Sequence, residues 1–94
     1  MIYIISSTHF RIGQLLMTPG VMDQISHDEI LSAVQRHANC DWGNLCKEDK
    51  KQNDLALKNG GRLFSAYRTA QGIKFWVITE ADRSATTVLL PEEY

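Results

Sequence analysis

Two cysteines, no excess of basic over acidic side chains and no proline-, glycine- or serine-rich stretch are the shortages of this 94-residue chain. Each excludes something. Ten Lys and Arg against eleven Asp and Glu give a formal net charge of -1, whereas a surface that tracks phosphates is usually built on a clear basic excess. Nucleic acid is therefore not the favoured partner. Cys40 and Cys46, without an export signal, read as reduced thiols rather than a disulfide. Together with His27 and His37 they have the ligand chemistry of a zinc site but match no standard paired spacing, so no metal is expected. A glycine-rich cofactor loop following a strand is missing too, as is room for the methyltransferase fold, which argues against a methyltransferase; no cofactor is expected. Met1-Ile2-Tyr3-Ile4-Ile5 is too short to span a bilayer and lacks the basic flank of a secretory signal, so a cytoplasmic protein away from the membrane is expected. Without a linker or repeat, residues 1–94 read as a single domain. A domain of this size buries only ~60–65% of the surface its unfolded chain exposes, which makes a homodimer plausible.

What is present reads as an α+β domain, with two or three helices packed on a mainly antiparallel sheet that ends in a three-stranded meander. Ile2–Ile5 has strand composition, and a second extended piece is expected over Phe10–Leu16, interrupted by Gly13. Thr18-Pro19 is an N-cap followed by proline at the first helical position, predicting a short helix through Gln24. Ser26 and Glu29 fit a capping box, and the helix after them places Ile30, Leu31, Val34 and Ala38 on one face, with Gln35 and Arg36 outside. After a loop at Asn39–Asn44, a polar helix is expected from Leu45 to Asn59, ended by Gly60-Gly61. Its Asn53 reads as solvated, or, if it faces the sheet, as a partner of the connection near Asp82. From Arg62 the period becomes two. Leu63, Ser65 and Tyr67 oppose Phe64, Ala66 and Arg68; a turn at Ala70-Gln71-Gly72 leads to a central strand through Thr79, and Thr86–Leu90 supplies the last strand.

Asp41-Trp42-Gly43, Gly61-Arg62-Leu63-Phe64-Ser65-Ala66-Tyr67 and the run from Trp76 to Tyr94, with Ile78-Thr79-Glu80-Ala81-Asp82-Arg83-Ser84-Ala85-Thr86-Thr87 and Leu89-Leu90-Pro91-Glu92-Glu93-Tyr94, resemble a family of small bacterial plasmid-related proteins. The likeness extends upstream to Gly13-Gln14-Leu15 and Thr18-Pro19-Gly20. It implies a plasmid or other mobile genetic element in a bacterial cytoplasm, where small accessory proteins regulate genes, resist host defence or form toxin and antitoxin pairs. It implies no activity and no cofactor.

The connection between the last two strands gathers Glu80, Asp82, Arg83, Ser84, Thr86 and Thr87, with Arg62 across the meander. Arginine among hydroxyls can hold a phosphate or carboxylate, and the acidic pair could orient it or accept a proton. Turns, however, generally recruit such residues for their own backbone, and on that reading Asp82 and Ser84 cap the turn while Glu80 pairs with Arg83. Trp42 and Trp76 read first as core or interface anchors. An exposed Trp42 would join Arg83 and Tyr94 in a protein-contact surface. The expected function is thus a non-enzymatic accessory protein binding another macromolecule, a protein, through Glu80–Thr87 with Arg62, Tyr67 and Trp42 nearby. One alternative is a toxin-like ribonuclease using Arg62, Tyr67, Lys74 and Arg83. Another is a dimeric DNA-binding regulator, which requires Arg11, Arg36, Lys50, Lys51 and Arg68 to form one stripe.

Overall fold

Capping chemistry starts the first two helices where expected, whereas the third begins two residues later than the expected Leu45 and without a side-chain cap. The computed structural model describes residues 9–94; the strand expected at Ile2–Ile5 lies outside the described residues. Along the chain come β1 (Gln14–Met17), α1 (Pro19–Gln24), α2 (His27–Ala38), α3 (Lys47–Asn59), β2 (Leu63–Arg68), β3 (Lys74–Thr79), β4 (Ala85–Leu89) and a closing 3-10 turn, Pro91–Glu93. The Thr18 hydroxyl accepts from the Val21 amide at 3.4 Å, and the Ser26 hydroxyl accepts from the Glu29 amide at 3.3 Å. Glu29 also takes the Ser26 hydroxyl and, with its other oxygen, the Ala70 amide at 3.0 Å. Only the serine half of the expected capping box forms: among the described residues Glu29 meets the Ser26 hydroxyl rather than its backbone N–H, and its other oxygen ties the helix to the β2–β3 turn. α2 buries Ile30, Ala33, Val34, His37 and Ala38, with Leu31 only half-buried.

The fold is α+β, and its sheet has the order β1-β4-β3-β2. β2, β3 and β4 form the antiparallel meander, while β1 adds itself parallel to β4, so the sheet is mixed. β3 is central, as its apolar character on both faces requires. Docking of β1 depends on Gly13. Its φ is +69°, and a Cβ there would lie 2.4 Å from the Ser84 carbonyl, so only glycine permits the close approach at which the Gln14 amide reaches Ser84 O at 3.0 Å. The strand therefore begins after Gly13 and runs to Met17, later than the expected Phe10–Leu16.

α1 and α2 cover one face of the sheet. Val21, Ile25, Ile30, Ala33 and Val34 pack there against Tyr67, Phe75, Val77, Val88 and Leu90. α3 instead lies along the outer edge of β2, and here expectation fails. Asn53 is 4% exposed, and its amide donates to Phe64 O at 2.5 Å and accepts from Phe64 N–H at 3.0 Å. It is bound to the edge strand, neither solvated nor hydrogen-bonded to the connection near Asp82. Two residues further along the same edge, the Asn44 amide donates to Ala66 O at 2.7 Å and the Ala66 amide to Trp42 O at 3.3 Å. Gly43, at φ +74°, makes that approach possible, because a Cβ would lie 2.0 Å from Ala66 O. An unpaired strand edge is a template for aggregation; this one is plugged by one side-chain amide and the Asp41-Trp42-Gly43 loop. α3 begins at Lys47 with Cys46 as N-cap and ends at Gly60, whose φ of +85° lets the Gly60 and Gly61 amides reach Ala56 O.

Candidate functional site

The β3–β4 connection is built around Arg83. This residue takes the left-handed conformation, φ +62°, which turns its guanidinium back under the loop. Nη1 donates to Gly61 O at 2.6 Å, Glu80 O at 3.1 Å and Ala81 O at 3.3 Å, and Nη2 donates to Ala56 O at 3.2 Å. Both terminal nitrogens are thus committed to main-chain carbonyls. Two of those carbonyls close the C-terminal end of α3, where a cation is favoured by the helix dipole. Asp82 accepts the Ser84 amide at 3.0 Å, and hydrogen bonds from Ser84 hold its carboxyl below the usual carboxylate range. Glu80 does not pair with Arg83. It faces Arg62 at 3.6 Å.

Beneath the turn runs a buried polar chain. Ser65 Oγ lies 2.5 Å from His37 Nδ1, His37 Nε2 2.9 Å from Thr79 Oγ1, Thr79 Oγ1 2.7 Å from Thr86 Oγ1, and Thr86 donates to Ile12 O at 2.7 Å. The last bond sets the direction of the rest. Thr86 has one hydroxyl proton and gives it to Ile12 O, so Thr79 must donate to Thr86. Thr79 can then only accept from His37, which places the proton on Nε2 and leaves Nδ1 to accept from Ser65. Burial, assisted by the charge of Arg83, lowers the His37 pKa to about 4, so the ring is neutral at pH 7. Phe10 and Trp42 stand edge-on to it, each with centroids 5.5 Å away. A serine beside a histidine resembles a nucleophile with its base, but Ser65 and His37 are both 0% exposed, and a substrate would have no access.

The opposite face of the sheet differs. Phe64, Ala66 and Arg68 of β2, Lys74, Trp76 and Ile78 of β3, Thr87 and Leu89 of β4 and Leu16 of β1 share it by register. Ile78 and Leu89 are buried, Phe64, Trp76 and Thr87 half-buried, and Leu16 is 41% exposed. Phe64 and Trp76 pack with centroids 4.9 Å apart, and Tyr94, 70% exposed, stands edge-on to Trp76 at 5.7 Å. Arg62 donates to the Tyr94 hydroxyl at 3.1 Å and sits over its ring.

Of the residues expected to form one site, Arg62, Glu80 and Thr87 border or occupy this outer face. Thr86 and Tyr67 belong to the inner face and are buried. Tyr67 donates its hydroxyl to Asp41 O, and burial raises the phenol's pKa. Trp42 is 4% exposed and donates its indole N–H to Asp54 at 3.1 Å; it is an anchor of the β2 edge and not part of an exposed surface. The ribonuclease set is divided, with Arg62 and Lys74 outside, Tyr67 inside and Arg83 in the turn. The basic stripe does not form. Arg11 precedes β1 at one sheet edge and Arg68 ends β2 at the other, while Arg36 is paired with Asp41 at 2.7 Å. His37, spending both ring nitrogens on hydroxyls, has no lone pair to offer a metal. Sequence reasoning missed the polar chain and Glu93, whose carboxylate accepts from the Thr18 hydroxyl at 2.5 Å and from the Gly20 and Leu90 amides at 3.0 Å. The first left a signal: His37 occupies the apolar stripe of α2, and Ser65 and Thr79 occupy inward positions of their strands.

No protein-family model, curated protein or solved structure matches this chain.

Proposed function

We propose that the chain is a non-enzymatic accessory protein that binds another macromolecule, a protein, through the outer face of its sheet. The supporting observation is the row of incompletely buried aromatic side chains, Phe64, Trp76 and Tyr94, with Arg62 bound to the last of them. Trp, Tyr and Arg are the residues that dominate protein–protein hot spots. The β3–β4 connection is set aside as the docking surface, since its arginine and acidic groups serve the fold. In the mobile-element setting implied by the likeness to plasmid-related proteins, such a module would act in regulation or in resisting host defence.

Thr87 tests this. It lies between Leu16 and Ile78 in the sheet, so Thr87→Arg places a long cation in the middle of the face. The variant is expected to lose a protein captured from bacterial lysate by the unaltered chain, with a melting temperature within ~4 °C of the original. Undiminished capture by Thr87→Arg would remove the outer face from consideration.

A further inference from the structure

Arg68 and Lys74 stand directly opposite each other across the β2–β3 hairpin. Both are exposed, and neither forms an ion pair among the described residues. Like charges in this position weaken a hairpin, so the pair does not serve the fold. Beside them is an open concavity of about 230 Å³, lined by Asn44, Ala66, Tyr67 and Trp76 as well as by the two cations. Trp76 follows Lys74 by two residues on the same face, a separation of roughly 7 Å along a strand.

Resting on the outer-face reading above, we propose that this end of the face receives an acidic segment of the protein partner, with carboxylates on Arg68 and Lys74 and an apolar side chain against Trp76. An extended peptide repeats its own side chains at the same spacing, so acidic and apolar residues two apart would meet Lys74 and Trp76 together. Charge number separates this ligand from a polynucleotide. Arg62, at the far end of β2, is already bonded to Tyr94 and faces Glu80, leaving Arg68 and Lys74 as the two cations here without an ion pair among the described residues, on a chain of net charge -1. Two phosphate contacts would give a single strand a salt slope of only about 1.4, too little for a surface that lives by backbone charge, whereas two carboxylates are a complete match for two cations.

The test follows Trp76 emission, since Trp42 is buried. Three probes are titrated: a short blocked peptide with Glu and Leu at alternate positions between serines, its Gln-for-Glu counterpart, and an oligothymidylate. The Glu peptide is expected to bind at least ~10-fold more tightly than the Gln peptide, to weaken with salt, and to lose that advantage in Arg68→Glu/Lys74→Glu. A Lys-for-Glu peptide should bind this double variant, which exchanges one like-charged pair for another and so preserves the fold. Equal binding of the Glu and Gln peptides, tighter binding of the oligothymidylate, or no response to any probe would each overturn the proposal. If Thr87→Arg abolishes partner capture while the charge reversal leaves it intact, the docking face stands and only its acidic specificity falls.

Discussion

The two faces of this sheet use polar chemistry in opposite ways. On the inner face, Ser65, His37, Thr79 and Thr86 are sealed beneath α2 and satisfy one another in a fixed direction, ending on Ile12 O. Every member has its partner, and no described buried side-chain nitrogen or oxygen is without one. On the outer face, Arg68 and Lys74 lack ion-pair partners among the described residues, and three aromatic rings meet with part of their surface uncovered. A buried network that is complete specifies packing, and it has nothing left to offer a ligand. Groups that do nothing for the fold are the better guide to binding.

The contrast breaks first at the sheet edge. Gly43→Ala forces a left-handed alanine and drives its Cβ into the Ala66 carbonyl, which should cost about 3 kcal/mol from strain and overpacking together. Chemical denaturation should show this as a lower midpoint with an unchanged slope, and aggregation should rise as the β2 edge opens. Acid acts on the inner face to a similar extent. His37 titrates near 6.5 when unfolded and about 4 when folded. Its contribution is therefore fully present above pH 6.5 and is lost as pH falls toward 4, because the unfolded chain binds the proton more readily. The loss should be on the order of 3 kcal/mol, and a stability-versus-pH series on His37→Gln should have that slope flattened between these limits.

Next comes the turn. Arg83→Ala removes the donors that hold Ala56 O and Gly61 O and should cost about 2 kcal/mol, the usual worth of hydrogen bonds from a charged group. Hydrogen exchange should quicken in the last turn of α3, at the Gly60 and Gly61 amides. Protection that stays unchanged there would mean the guanidinium is not what ties α3 to the turn.

Local chemistry was legible in the sequence, and long-range closure was not. Thr18-Pro19, Ser26 with Glu29, and Gly60 state their roles within a few residues, and the period-two pattern from Leu63 onward set the meander and its central strand. β1 begins later than its local pattern indicates because its partner is β4, some seventy residues away, and only the missing Cβ of Gly13 makes that pairing possible. Asn53 sits in a polar helix with no apolar stripe to orient it, so nothing nearby indicates that it faces the β2 edge. In the β3–β4 connection, composition suggested a local Glu80–Arg83 pair. The left-handed turn at Arg83 sends that side chain to α3 instead and leaves Glu80 to Arg62.

The smallest effect on stability gives the sharpest comparison between faces. Tyr94→Ala removes a ring that is 70% exposed and one hydrogen bond to an exposed arginine, so stability should change by less than about 1 kcal/mol. Its effect on Trp76 should be larger in proportion, because the ring it removes stands edge-on to that indole at 5.7 Å. Emission should shift toward longer wavelength as water reaches Trp76, while Trp42, enclosed by Phe10 and His37, stays unchanged. If Tyr94 belongs to the docking surface, the same substitution weakens partner capture more than it weakens the fold. Weaker capture is the expected result, because Tyr94 stands in the aromatic row of the docking face. Unchanged or stronger capture would remove Tyr94 from that face.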